Sequence, residues 1–138
     1  MSETELTETA YSSLLETLAY LASFKVQEKY IIGGTKDEYV VPDDLLDDYI
    51  SDVEFFKFEK FPNRIPWLKA KAGEKAVDSI EELYSDIKAS GSFLEKYTHA
   101  NIAELINADP IWIKLRDSSG KILNMCGFDL GSWENENA

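Results

Sequence analysis

A chain of 138 residues is long enough to bury a core within one domain, and a composition that is 44% hydrophobic with 17 aromatics excludes a disordered polymer. The net charge of -12 argues against direct binding of nucleic acid or an anionic membrane surface, because both would repel it. One cysteine, Cys126, and one histidine, His99, exclude an internal disulfide and any metal site built mainly from these two residue types.

Residues 3–24 read as a first helix opened by a capping box at Ser2 and Glu5, with Tyr11, Leu14, Leu15, Leu18, Leu21 and Ala22 along one face. The β-prone runs Glu28–Ile32 and Glu38–Val41 flank the loop 33–37, so a hairpin is expected over about 30–41. Gly33 and Gly34 lack the context of a phosphate-binding loop and are assigned to the turn.

The next stretch is the most conspicuous in the chain. Leu45, Leu46, Tyr49, Ile50 and Val53 fall on one side of a helix beginning at Pro42, whereas Asp43, Asp44, Asp47, Asp48 and Asp52 fall on the other. Asp43 and Asp44 suit the positive end of the helix dipole. The pairs 43–47, 44–48 and 48–52 place like charges one turn apart, at a cost of roughly 0.2–0.5 kcal/mol each. No lysine relieves them within the helix, which motivates a search for a positive partner.

Residues 54–61 are expected to form a short strand, with continuation of the helix as the alternative, and the two prolines of 62–67 to force irregular chain. Lys60, Arg64, Lys69, Lys71 and Lys75 make a basic segment able to neutralise part of the acidic first half, where residues 1–59 hold 14 acids and 4 bases. A helix over 75–89 buries Val77, Ile80, Leu83, Tyr84 and Ile87, and another follows over about 92–107, unless Thr98 caps a separate one. A second hairpin is expected over 111–128 around the turn Asp117–Gly120, with Ile111, Ile113 and Leu115 inward and Trp112, Lys114 and Arg116 on the opposite face. The expected fold is therefore α+β: an N-terminal helix and an antiparallel sheet built from two hairpins, packed against three or four helices. It forms a single domain over 1–138, with residues 1–3 and 134–138 frayed.

Catalytic chemistry finds little footing. Walker, dinucleotide and nucleophile-elbow motifs are absent, a Cys126–His99 dyad would place its thiol in an apolar strand, and the aspartates sit on a helix rather than in a calcium-binding loop. No enzyme activity, cofactor or metal is expected. No apolar run is long enough for a membrane span, and the first residues lack a basic leader segment, so a cytoplasmic location is expected.

The stretches 38–48 and 110–120 resemble segments of the phage uracil-DNA glycosylase inhibitor, a DNA mimic, over less than a fifth of the chain. Strand followed by acidic helix, and strand-turn-strand, are the shared patterns, and no residue role is transferred. In general character the chain is similar to bacterial immunity proteins, which neutralise a cognate toxin by covering its active site or a nearby surface. The leading expectation is thus an acidic inhibitor that binds a protein with a basic surface, a toxin such as a nuclease or another nucleic-acid enzyme. Its contact residues would be Asp43, Asp44, Asp47, Asp48 and Asp52, with Trp112 and Trp67 as aromatic anchors. A small-molecule-binding or regulatory module is the alternative, and a DNA-mimic inhibitor the second.

Overall fold

A computed structural model describes residues 2–138, and among these the regular structure is entirely helical. Eight α-helices follow one another: α1 (Glu3–Ala22), α2 (Phe24–Gln27), α3 (Pro42–Lys57), α4 (Arg64–Ala72), α5 (Glu74–Ala89), α6 (Ile102–Ala108), α7 (Pro110–Met125) and α8 (Leu130–Asn137). A π-turn over Glu28–Ile32 extends α2, and two 3-10 turns, Phe93–Lys96 and His99–Asn101, lead into α6. The central helix is α1, which packs on α7 and α3; α5 closes the bundle against α7 and α3, and α4 bridges α3 and α5.

The expected α+β fold is overturned, because neither hairpin forms. In the second, Asp109 decides the outcome by capping α7: its carboxylate accepts from the amides of Ile111 (2.8 Å) and Trp112 (3.2 Å), while Pro110 occupies the first helical turn, where its missing N–H is harmless. The alternation of Ile111, Ile113 and Leu115 competed with a helical stripe, Trp112, Leu115, Ser119, Ile122 and Leu123, which is the set actually buried. That stripe crosses the supposed turn. Ser119 is fully buried there with its hydroxyl donating to the Leu115 carbonyl at 2.7 Å, so a serine fills a helix interface without an unmet polar group. The likeness of 110–120 to a strand-turn-strand segment lapses with the hairpin.

In the first expected hairpin, Glu28–Ile32 continues helically from α2 and Ile31 is buried in the core. One backbone bond, Val40 N–H to the Tyr30 carbonyl at 3.0 Å, folds the loop back without a ladder. Gly34 is required: a Cβ there would collide with the Tyr39 ring and stand 2.7 Å from the Tyr30 carbonyl oxygen.

The strand expected over 54–61 does not form either: residues 54–57 continue α3, since Phe56 extends the stripe of Tyr49 and Val53 and is buried with them, and 58–61 form a turn. Irregular chain at 62–67 gives way to α4 from Arg64 onward. Pro66 sits within its first turn, where an N–H would have no intrahelical acceptor. Residues 92–107 follow the divided alternative: Thr98 N–H donates to Asn101 Oδ1 at 2.6 Å and starts a separate helical segment. Residues 134–138, expected to fray, mostly belong to α8, which Trp133 pins edge-on to Tyr20 with ring centroids 5.0 Å apart and Glu134 ties to the Ser23 hydroxyl. Of residues 1–3, also expected to fray, Ser2 caps α1 and Glu3 opens it, while residue 1 lies outside the described residues.

The core is centred on Trp112, Tyr49 and Phe56, the bulkiest fully buried side chains. Its polar atoms are satisfied. Gln27, fully buried, donates to the carbonyls of Tyr20 (2.9 Å) and Leu21 (2.7 Å) and accepts from Trp112 Nε1 (3.1 Å) and Arg116 Nη1 (3.2 Å). Tyr49 donates its hydroxyl proton to the Ile80 carbonyl at 2.7 Å, tying α3 to α5.

Candidate functional surface

The buried stripe of α3 (Leu45, Leu46, Tyr49, Val53 and Phe56) orients the helix and leaves Asp43, Asp44, Asp47 and Asp48 exposed. Among the described residues the ion pairs are Arg64–Glu3, Lys88–Glu54 and Lys96–Asp109, so none of these four aspartates has a cation within 4.0 Å. The basic segment expected to neutralise them does not. Arg64 is buried and spends its charge on Glu3 at 2.7 Å, and Lys60, Lys69, Lys71 and Lys75 are exposed without an acidic partner.

Asp52 differs from the other four. It is half-buried against α1 and accepts from Ser13 Oγ (3.0 Å) and Thr17 Oγ1 (2.9 Å). Burial pushes its carboxyl above the ordinary range, against the two hydroxyls that lower it, and the nearby Asp48 charge adds to the rise. Its place is in the α1–α3 contact rather than on the acidic ridge.

The two tryptophans do not join the ridge either. Trp112 is 1% exposed, on the buried side of α7 rather than an open face, because a helix carries it inward with Leu115. Trp67 is half-buried on α4, edge-on to Tyr11 at 5.9 Å and stacked on Phe56 at 6.4 Å. The exposed phenylalanines and tyrosines are instead Phe58 (53%), Phe24 (39%), Tyr39 (38%) and Phe61 (37%), and of these Phe58 and Phe61 lie together just past the C-terminus of α3, with ring centroids 6.0 Å apart. Phe61 packs on a buried arginine. The Arg64 guanidinium lies between the rings of Phe55 (3.7 Å) and Phe61 (4.0 Å) while donating to the Phe55 carbonyl and to Glu3. The density of phenylalanines at 55, 56, 58 and 61 was the available signal, since a single buried helix face cannot take all four.

Chemistry elsewhere is sparse. His99 is exposed beside Tyr39, whereas Cys126 is half-buried near Tyr11, and burial pushes its thiol up, away from a reactive thiolate. Among the described residues no three histidine, cysteine, aspartate or glutamate side chains gather as a metal site. No described helix is long and apolar enough to cross a membrane.

Two depressions stand out. An open cleft of about 880 Å³ lies between the start of α2 and the α7–α8 corner, with Phe24, Phe128 and Leu130 as apolar walls and Arg116 and Lys121 as cations. Gly120 opens onto it from mid-α7, with free space where a Cβ would stand. A smaller groove of about 370 Å³ runs beside the acidic ridge, between α3 and the C-terminal end of α5. No protein-family model, curated protein or solved structure matches this chain.

Proposed function

We propose that this protein is an acidic inhibitor of the immunity type, acting in the cytoplasm by docking the outer face of α3 onto a basic surface of a toxin or nucleic-acid enzyme. The observation that carries this reading is the row of four exposed aspartates without ion-pair partners, on a helix whose far end presents the aromatic pair Phe58 and Phe61. Unpaired like charges accelerate encounter with a cationic surface, and exposed aromatics supply the short-range part of the affinity.

Capture of the partner from the native host at low and high salt tests it. The variant Asp44→Lys/Asp47→Lys/Asp48→Lys should lose the partner while keeping its helical circular dichroism, and capture by the wild type should weaken as salt rises. Undiminished capture by the variant sinks the reading.

A second reading, a module that takes a small molecule, rests on the α7–α8 cleft, whose volume lies within the range of roughly 300–1,000 Å³ usual for ligand pockets. A glycine in mid-helix costs roughly 0.8–1.0 kcal/mol relative to alanine, and no neighbour in the fold requires Gly120. Under that reading Gly120→Leu leaves the fold intact and abolishes the thermal upshift given by a metabolite from the host; a shift that survives the substitution rules the cleft out.

A further inference from the structure

The groove beside the acidic ridge has a composition that narrows the chemistry of the partner. Its apolar lining comes from three directions: Leu46 and Ile50 from α3, Ile87 from the last turn of α5, and Leu94 from the 3-10 turn that follows. Its rim is anionic, with Asp43 and Asp47 on one side and Glu95 on the other, all exposed and none ion-paired among the described residues. Lys88 is the one cation on the lining, and its ammonium is engaged elsewhere. It lies 3.2 Å from the Tyr84 hydroxyl, above the Tyr84 ring, and 3.9 Å from Glu54.

An apolar trough between carboxylates rejects a purely polar cation, which would leave the trough wet, and rejects a neutral apolar chain, which would cover three carboxylates without pairing them. Charge complementarity therefore selects one occupant. Resting on the acidic-inhibitor reading, we infer that the groove receives an aliphatic side chain from a cationic amphipathic segment of the partner protein, with lysine or arginine on either side facing Asp43, Asp47 and Glu95. The volume of about 370 Å³ suits side chains rather than a whole domain edge, and Asp44 and Asp48 continue the anionic track beyond the groove for further basic residues of the same segment.

The test uses the full chain and two labelled probes followed by fluorescence anisotropy: an amphipathic lysine–leucine peptide and an oligolysine of equal charge. The wild type should bind the lysine–leucine peptide about tenfold more tightly, the order expected for burying one aliphatic side chain. Ile50→Glu separates apolar from ionic recognition, because it adds a negative charge while spoiling the trough. Binding of the lysine–leucine peptide should fall about tenfold, and binding of oligolysine should hold or rise. Ser92→Trp, at an exposed position that leaves the apolar lining of Leu46, Ile50, Ile87 and Leu94 in place, should block the lysine–leucine peptide in the same way.

Equal affinity of the wild type for the two peptides, or full affinity for lysine–leucine in both variants, overturns the groove while leaving the acidic-face reading standing. Loss of that reading has its own signature: oligolysine binding that is unchanged in Asp44→Lys/Asp47→Lys/Asp48→Lys.

Discussion

Helices α3 and α7 are both sixteen residues long and both open with a proline, yet they are used in opposite ways. Helix α7 is anchored at its start by the side chain of Asp109 and sends Trp112, Leu115, Ile122 and Leu123 into the centre of the bundle. Helix α3 has Val41 at its N-cap with no side-chain bond, relies on Asp43 and Asp44 at the positive end of its dipole, and keeps a row of unpaired carboxylates toward solvent. Charges that a stable helix would offset with lysines stay unrelieved on the outer face of α3, while the buried polar side chains at α7, Asp109 and Ser119, are hydrogen-bonded. The contrast separates a helix shaped by stability from one whose outer face carries a cost that folding does not explain.

The largest expected effect lies in α7. Trp112→Ala removes the bulkiest buried side chain and strands the Gln27 carbonyl oxygen on one side, so chemical denaturation should show a loss of about 3–5 kcal/mol. A loss below about 1 kcal/mol would contradict its place in the core.

Asp109 comes next. Burial alone would raise its carboxyl, but the Tyr97 hydroxyl, the amides of Trp112 and Ile111, and Lys96 together hold it below the ordinary carboxylate range. A lowered value in the folded state means that the stabilisation is present above the unfolded value, about 3.9, and is lost as pH falls through the lowered folded value. Asp109→Ala should cost about 2 kcal/mol at neutral pH and flatten the acid limb of the stability profile, whereas Asp109→Asn should keep much of the cap and flatten the limb alone. Equal acid slopes in wild type and both variants would remove Asp109 from this role. Asp52 works in the opposite sense: its raised value favours the folded state at low pH and is lost as pH rises, so it offsets part of that limb.

The smallest expected effect on stability is in α3. Reversing Asp44, Asp47 and Asp48 to lysine relieves the pairs 43–47 and 48–52, each worth roughly 0.2–0.5 kcal/mol, but leaves 44–48 a like-charge pair and sets a cation at the positive end of the dipole, so the midpoint of unfolding should change little. A large loss of stability would make the acidic face structural and erase the contrast with α7.

Legibility in the sequence followed the strength of the competing local signals. Helices α1 and α5 and the greater part of α3 were plain because their apolar residues repeat at helical spacing and two of their starts carry recognisable signals, the Ser2 cap and Pro42 within the first turn, whereas residues 54–57 at the end of α3 were assigned to a strand. Helix α7 was missed because Ile111, Ile113 and Leu115 alternate like a strand and Asp117–Gly120 reads as a turn. Only the packing of Trp112 and Ser119 against their neighbours shows which period is used. The four free aspartates of the ridge were visible from residue order, whereas Asp52 needed α1 beside it to be recognised as a contact residue.

Sequence by itself determined that this chain is acidic and that one face of the helix beginning at Pro42 is negative, since charge and helical period are properties of residue order. Tertiary structure alone decided that the bundle is all helical, that Trp112 is core while Phe58 and Phe61 are surface, and that an apolar groove borders the aspartates. The reason is physical: burial and ion pairing depend on elements distant in the chain, and a local pattern compatible with two periods is settled by whichever lets the larger side chains be buried with their polar atoms satisfied.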